Sequence, residues 1–379
     1  MKNELNVAHF TNVIDGRSKS GTARVARELI IEINKNSNFK QTLIHFDEKF
    51  AVNDSIYCLE NINEIKIPLY QFPIAKHFIS FILFFIKYNF KKNKIEFDVM
   101  HWHSSRVYPF FFIIPAKKVV ITLHDANMRV IPDANTIWTQ IFYWNLRIFS
   151  KYYDFLIGVS NDACSKLVSI GKFPKSKVAC MYLGTRFTEL VAIKPENFPA
   201  NLVNFFLCVS RWQPYKNVET VLHAYSNLIL EYPKAPTLVL VGSPVGNYNI
   251  PFKIIDDKNL QERVIVIDQV SDFELAYLYD QALVNINPSL YEGFGLPVLE
   301  GLSRGCPSID HVYTSTSEIS SIAGIHIDMS LASQLTETLQ NIIINPNVIS
   351  ELRSTAHTRS KTFTWEKSLS KLLEIYSSK

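Results

Sequence analysis

Short β-branched or aromatic runs alternate with longer amphipathic stretches along most of this chain, and that alternation confines it to few folds. In the first half the strand patterns are Leu5–Phe10, Gln41–Phe46, Val99–Trp102, Lys118–Thr122, Phe155–Val159 and Val178–Tyr182. Helical patterns lie between them at Gly21–Asn34, Ile74–Phe90, Thr136–Tyr153 and Asn161–Ile170. In the second half, strands at Asn204–Val209, Thr237–Val241, Val264–Ile267 and Val284–Asn287 alternate with helices near Asn217–Glu231, Asp272–Gln281 and Pro297–Arg304. Such alternation predicts parallel sheets with crossover helices, the α/β doubly wound class.

The 379 residues suit two domains of about 150–200 residues each. A linker is expected at Glu189–Leu202, where Pro195 and Pro199 flank a polar centre with no helical period. On either side lies a block of Rossmann-like size, residues 1–190 and 203–360. In open α/β sheets ligands bind at the carboxyl ends of the strands.

Hydrophobic residues make up 47% and charged residues 20%, a globular composition. The longest apolar run, Phe78–Ile86, is half the roughly 20 residues that a spanning helix needs. MKNELNVAHF carries Glu4 and runs straight into a strand pattern, so no secretory leader is read and a cytoplasmic protein is expected. Cys58, Cys164, Cys180, Cys208 and Cys306 are odd in number and widely spaced, which argues against a disulfide framework or a structural zinc site. Residues 1–190 hold 25 Lys and Arg against 16 Asp and Glu, or +9; the remainder hold 14 against 19, or −5. A basic half beside an acidic one suits an anionic partner for the first half: a membrane surface, phosphate groups or nucleic acid. The plain alternative is solvated lysine faces.

The densest chemistry lies in Pro288–Pro307, PSLYEGFGLPVLEGLSRGCP. A strand runs into a glycine-bearing turn and a helix opening at Leu296–Pro297, where proline suits the first turn. Gly293 and Gly295 permit a tight turn that brings free amides close to a ligand, and the helix N-terminus behind them favours a phosphate. Glu292 and Glu300 are eight apart, one before the helix and one about a turn inside it. Carboxylates accepting from hydroxyls, beside amides that take the phosphate, describe a sugar-nucleotide site. In SRWQPYK, Arg211 and Lys216 bracket a turn at a strand's carboxyl end, where a guanidinium and an ammonium can grip a diphosphate; taken alone, the motif reads equally as an exposed basic turn. Asp15–Ala23, DGRSKSGTA, is a loose phosphate loop with neither G-x-G-x-x-G nor a Walker lysine. His101, His103 and His124 stand at or just beyond strand ends. Metal binding is one reading of them, but with His101 and His103 read as alternating across their strand no three-ligand set is evident; His124 is read as a sugar-hydroxyl contact, the alternative being a satisfied, partly buried histidine.

These residues carry a resemblance. FLCVSRWQPYKN, LVLVGSP, SDFELAYLYDQA, PSLYEGFGLPVLEGLSRGCPSI and Ser317-Glu318, with weaker matches at Gly21, DVMHWHS, VITLHD, IGVSNDAC and YLGTR, resemble the retaining glycosyltransferases of family 4. That resemblance spans essentially the whole chain. It implies the GT-B fold, two facing Rossmann-like domains with a deep interdomain cleft, and a hexosyltransferase acting in polysaccharide biosynthesis. It implies that Glu300 binds the ribose hydroxyls and that Glu292 with the backbone of Gly293, Phe294, Gly295 and Leu296 holds the donor sugar. Arg211 and Lys216 would grip the diphosphate, Gly21 would approach it from the other domain, and His124 would sit beside the transferred sugar.

The implied donor is GDP-mannose or a UDP-hexose, mannose being favoured. No cofactor and no divalent metal are required, since the cationic pair takes a metal's role. The implied acceptor is a saccharide, polyprenyl-diphosphate-linked, and nucleic acid is not expected as a partner. The sequence departs from the family at Ser20–Gly21, at Asp268-Gln269-Val270 and at Leu183–Arg186, which touches the β-phosphate contact and base recognition. An inactive nucleotide-sugar-binding or membrane-associated protein and a GT-B epimerase or phosphorylase are the alternatives. A Rossmann oxidoreductase is disfavoured by the missing G-x-G-x-x-G.

The tail FTWEKSLSKLLEIY resembles the family's C-terminal helix. Its stripe of Trp365, Leu369, Leu372 and Tyr376 predicts that residues 366–379 pack back on the first domain. Finally, Ile74–Lys94, Arg106–Lys118 and Trp138–Tyr153 set lysines and arginines beside aromatic and aliphatic runs, the composition of an interfacial face on an anionic membrane; the alternative is buried core helices with solvated lysines, which the near-continuous Phe78–Ile86 run favours for its own centre.

Overall fold

The computed structural model describes residues 4–11, 14, 20–36, 38–48, 55–72, 75–92, 95–104, 107–126, 131 and 137–378. The chain divides into two compact units, Met1–Leu183 with Trp365–Lys379, and Gly184–Thr364.

The first unit holds a seven-stranded sheet of β1 (Leu5–Phe10), β2 (Phe39–Phe46), β3 (Ile62–Ile67), β4 (Phe97–Trp102), β5 (Ala116–His124), β6 (Phe155–Gly158) and β7 (Val178–Cys180). The spatial order is β3-β2-β1-β4-β5-β6-β7 with every pair parallel, so the order reverses between β1 and β4. The helices of this unit begin with α1 (Gly21–Asn34), α2 (Lys76–Asn89), α3 (Ile137–Ile148) and α4 (Asn161–Ser169). The Ser20 hydroxyl caps α1 by accepting from the Ala23 amide at 3.2 Å, and Ala26, Leu29, Ile30 and Ile33 turn one face inward at helical spacing. Aromatic rings fill the core: Phe10 stacks on Trp102 with centroids 4.2 Å apart, and Phe81 and Phe46 meet Phe10 edge-on.

The second unit holds a six-stranded parallel sheet of β8 (Phe205–Val209), β9 (Leu238–Val241), β10 (Val264–Ile267), β11 (Ala282–Asn287), β12 (Ser308–His311) and β13 (Gly324–Ile327), in the order β10-β9-β8-β11-β12-β13. Its helices are α5 (Val218–Glu231), α6 (Ile250–Asp257), α7 (Asp272–Gln281), α8 (Leu296–Ser303), α9 (Ser315–Ser320), α10 (Ala332–Ile344) and α11 (Asn347–Ser360). Ser271 and Glu274 close a capping box at the start of α7.

The segment read from sequence as a linker is part of this unit. Phe187 and Phe198 are buried against Phe205 and Tyr279, the Ile193 amide donates to Phe273 O at 3.0 Å, and Arg304 donates to both Phe187 O and Leu190 O at 3.0 Å. Pro195 and Pro199 end helical order, but the aromatic residues around them have a core to enter. The boundary therefore falls at Leu183 and Gly184, upstream of the linker read from sequence.

The tail forms α12 (Trp365–Ser377), which belongs to the first unit, so the chain passes between the units twice. Trp365, Ser368, Leu372, Ile375 and Tyr376 are buried, whereas Leu369 is half-buried. Lys118 on β5 closes the far end of the helix, donating to Ile375 O at 3.1 Å, to Tyr376 O at 2.9 Å and to Ser378 O. A cation among the last carbonyls satisfies acceptors that the helix leaves open. Burial pulls the Lys118 ammonium below its ordinary range. Among the described residues no helix is long and apolar enough to cross a membrane.

Candidate active site

In the second unit two loops at strand carboxyl ends are tied together. After β8 the chain enters a short 3-10 turn, Pro214–Lys216, and Asn217 follows with φ 55°, a left-handed conformation that asparagine tolerates. The Asn217 amide group donates to Pro288 O at 3.3 Å and to Met329 O at 2.7 Å, while the Leu290 amide donates to Tyr215 O at 2.9 Å. These bonds fasten the lysine turn to the loop after β11. The result is an ion pair: Lys216 Nζ lies 2.5 Å from Glu292 Oε1, with both side chains half-buried.

The helix behind the pair starts where sequence places it, at Leu296 with Pro297 in its first turn. Gly295 caps it at φ 92°, ψ 59°, and a Cβ there would collide with the Thr316 methyl, so glycine is required twice over. The Ser315 hydroxyl donates to Glu292 O at 3.0 Å and so holds the loop from α9. Phe294 is buried and meets Phe363 edge-on. Glu300, one turn into α8, is 3% exposed, with the Tyr279 hydroxyl donating to its Oε2 at 3.4 Å. Glu292, Gly293, Phe294, Gly295, Leu296 and Glu300 thus occupy one loop and helix start, and Lys216 reaches them from the turn after β8. Arg211 shares the turn with Lys216, but its guanidinium is exposed and bonds to no described residue. Asn217 and Ser315 were not singled out from sequence. An asparagine directly before a helix was the available signal for the first, and nothing marked the second.

In the first unit, Gly21 is the exposed first residue of α1, and Asp15–Lys19 of the loose phosphate loop lie outside the described residues. His124 ends β5 at φ 66°, a left-handed conformation unusual for a residue with a Cβ, and its Nε2 lies 3.1 Å from His103 O. Burial pulls the His124 imidazole down to about 4, so it is neutral at physiological pH.

The reading of His101 and His103 as alternating needs correction. Strand side chains alternate with period two, so residues two apart share a face. The two rings lie with centroids 4.0 Å apart, and His9 joins them, its Nδ1 3.0 Å from His103 Nε2. His9 was missed, although it lies at the carboxyl end of β1, which pairs with β4 in register His9 to His101.

Residues 192–361, inside the second unit, match the family model of glycosyl transferases group 1. Among curated proteins, O-antigen chain mannosyltransferase B of Escherichia coli is 24% identical over 70% of this chain and 72% of its own length. The serotype-specific mannosyltransferase WbdA of Escherichia coli is 27% identical over 65% of this chain, which spans only 32% of that longer protein. Among solved structures, Anabaena HepE in complex with UDP and glucose superposes with a TM-score of 0.74 at 14% identity, covering 99% of this chain and 100% of its own. The fold is GT-B.

Proposed function

We propose that this chain, a GT-B protein carrying a group 1 glycosyl transferase domain, is a retaining glycosyltransferase that moves a hexose, mannose foremost, from a nucleotide diphosphate sugar to a saccharide acceptor. The observation that carries this reading is the Lys216–Glu292 pair beside the start of α8, with Glu300 buried one turn behind it. When the bond from the anomeric carbon to the β-phosphate oxygen breaks, negative charge grows on the diphosphate. Lys216, Arg211 and the α8 amides stabilise that charge, so the transfer step itself needs no divalent ion. Glu292 is assigned to donor-sugar hydroxyls and Glu300 to the ribose. From the first unit, His124 is assigned to the transferred sugar and Gly21 to the diphosphate. A neutral imidazole suits a hydroxyl contact, because it offers one donor and one acceptor.

The mannosyltransferase relatives support mannose, hence GDP-mannose, and the UDP and glucose of HepE keep a UDP-hexose as the second donor to test. A thermal-shift panel of GDP-, UDP- and ADP-sugars reads binding through mass action. Following a radiolabelled donor in the presence of saccharide acceptor then reads transfer. Binding without turnover would favour the inactive nucleotide-sugar-binding reading, and rearranged free nucleotide sugar would favour an epimerase.

The acceptor is proposed to be polyprenyl-diphosphate-linked, as many acceptors in bacterial polysaccharide assembly are, and met at the cytoplasmic face of a membrane. The support is a greasy, basic patch within the first unit. On α3, Ile137, Ile141, Trp144 and Ile148 recur at helical spacing, and all are exposed. On α2, Phe81 and Phe85 enter the core while Leu83 and Ile86 face outward, as does Phe90 just past its end, at 87% exposure. The two are joined through Phe111–Ile113: Phe112 packs on Phe149 and Tyr152, and the Asn89 side chain donates to Ile113 O at 2.8 Å. Cations rim the patch, with Arg147 over the Trp144 ring at 5.4 Å, Lys151 over Tyr152 at 5.0 Å and Lys91 over Tyr88 at 5.7 Å. Apolar side chains between cations suit insertion at the headgroup boundary of anionic lipid. In liposome flotation the protein should rise with anionic vesicles and be released by salt, since exposed charges are screened over about 8–10 Å at physiological ionic strength. Protein that stays in the soluble fraction at low salt would point to a soluble acceptor.

A further inference from the structure

We infer that His9, His101 and His103 form a buried site for one first-row divalent cation of the zinc type. The three rings are buried at the carboxyl ends of β1 and β4, and one ring nitrogen from each lies within 4.8 Å of the others. His9 Nδ1 and His103 Nε2 are already 3.0 Å apart. Ligand nitrogens around a tetrahedral ion at about 2.0–2.1 Å stand roughly 3.3 Å from each other, so the set needs ring adjustments of about an ångström, not a rebuilt backbone.

Three features separate this cluster from an ordinary buried histidine. The first is convergence: the ring centroids of His9 and His101 lie 6.1 Å apart, those of His9 and His103 5.2 Å and those of His101 and His103 4.0 Å, so three imidazoles share one buried place. The second is how the rings face: His9 Nδ1 and His103 Nε2 point at each other, so the opposite nitrogens, His9 Nε2 beside Gln41 and the buried His103 Nδ1 with no hydrogen-bond partner among the described residues, would carry the N–H of ligating rings. The third is the outer layer. The hydroxyls of Thr122 and Tyr376 each lie 2.7 Å from a ring nitrogen of His101, so whichever nitrogen does not ligate keeps a partner for its N–H. Ligating histidines ordinarily have such a partner. Imidazoles and hydroxyls without a thiolate favour zinc, nickel or copper over magnesium or calcium. Because Tyr376 comes from α12, an ion here would also fasten the tail helix to the sheet.

The full chain, purified without a polyhistidine tag from zinc-supplemented culture, should carry about one zinc per chain by elemental analysis. Refolded in cobalt, it should show the visible absorption of tetrahedral cobalt. His9→Gln and His103→Gln should each lower occupancy tenfold or more, on the order of what disturbing a metal's surroundings does. His223→Gln, on the exposed side of α5, should leave occupancy unchanged. Wild-type protein with less than about 0.1 equivalents of metal after both treatments overturns the site, whatever the variants do. So does a metal content that persists in both cluster variants. Protein that holds only a buried water falls under the first of these outcomes.

Discussion

With its Nζ 2.5 Å from Glu292 Oε1, Lys216 carries a charge that is already answered inside the protein, and the pair must open or share to meet a diphosphate and a sugar. Removing either partner costs twice: a contact to the donor goes, and the survivor is left half-buried without its counter-charge. Lys216→Ala and Glu292→Ala are each expected to lower turnover by about 100-fold with the fold intact, roughly 2.7 kcal/mol of transition-state stabilisation. The double variant should fall little further, because paired residues lose their joint effect only once. Near-normal turnover in both single variants would dismiss the site. Glu300→Ala should instead raise the donor KM with kcat largely kept, and a collapse of kcat at saturating donor would move Glu300 closer to the reacting bond. At this scale the sequence was informative where identity alone implies chemistry, as with Glu292, Glu300 and the glycines. It said nothing of the pairing of Lys216 with Glu292, 76 residues apart, because that depends on the Asn217 and Leu290 bonds that draw two loops together.

Among the elements, the strands legible in sequence were those buried on both faces, such as β8 and β9, whose β-branched and aromatic runs admit few readings. The strand β3, INEIKI, at the sheet edge breaks the polar–apolar alternation at Asn63-Glu64, and β12, SIDH, is short and polar, so neither stood out. The polarity of β12 has a measurable consequence. Asp310 is fully buried, with Ser308 Oγ donating to its Oδ2 at 2.6 Å and its Oδ1 lacking a hydrogen-bond partner among the described residues. Burial pushes its carboxyl up to about 7, against the smaller opposing pull of Ser308 and Ser320. The folded chain therefore keeps a proton that the unfolded chain gives up above its ordinary value near 4. Stability from this group is undiminished below about pH 4, falls as pH rises towards 7, and is level above that. Asp310→Asn should raise the melting temperature at pH 8 and lose that advantage near pH 4. Thermal melts across this range decide it, and a variant gain that grows towards acid would reverse the sign.

For the whole molecule, the last helix belongs to the first unit, and its attachment has buried apolar and polar parts. Leu372 is fully buried, Tyr376 reaches His101, and the Lys118 ammonium closes the helix end. Leu372→Ala should cost about 2–5 kcal/mol, and the loss should fall unevenly. Amide hydrogen exchange is expected to quicken across β4 and β5 while β8 and β9 keep their protection. Equal quickening in both sheets would mean that the helix supports the second unit as well. The tail's apolar spacing was legible in sequence; its hold on Lys118 was not, since a lysine within a strand pattern reads as an edge or solvent residue until a helix end arrives beside it. The order of synthesis gives this attachment a further meaning. The residues that open the first sheet emerge from the ribosome first, but α12 follows only after all of Gly184–Thr364 has been made. At about 5–20 residues per second, the seat for Leu372 and Tyr376 stays open for roughly 10–40 s. In the cell, the domain begun first is completed last, and for that interval it presents an apolar groove to whatever binds nascent chains.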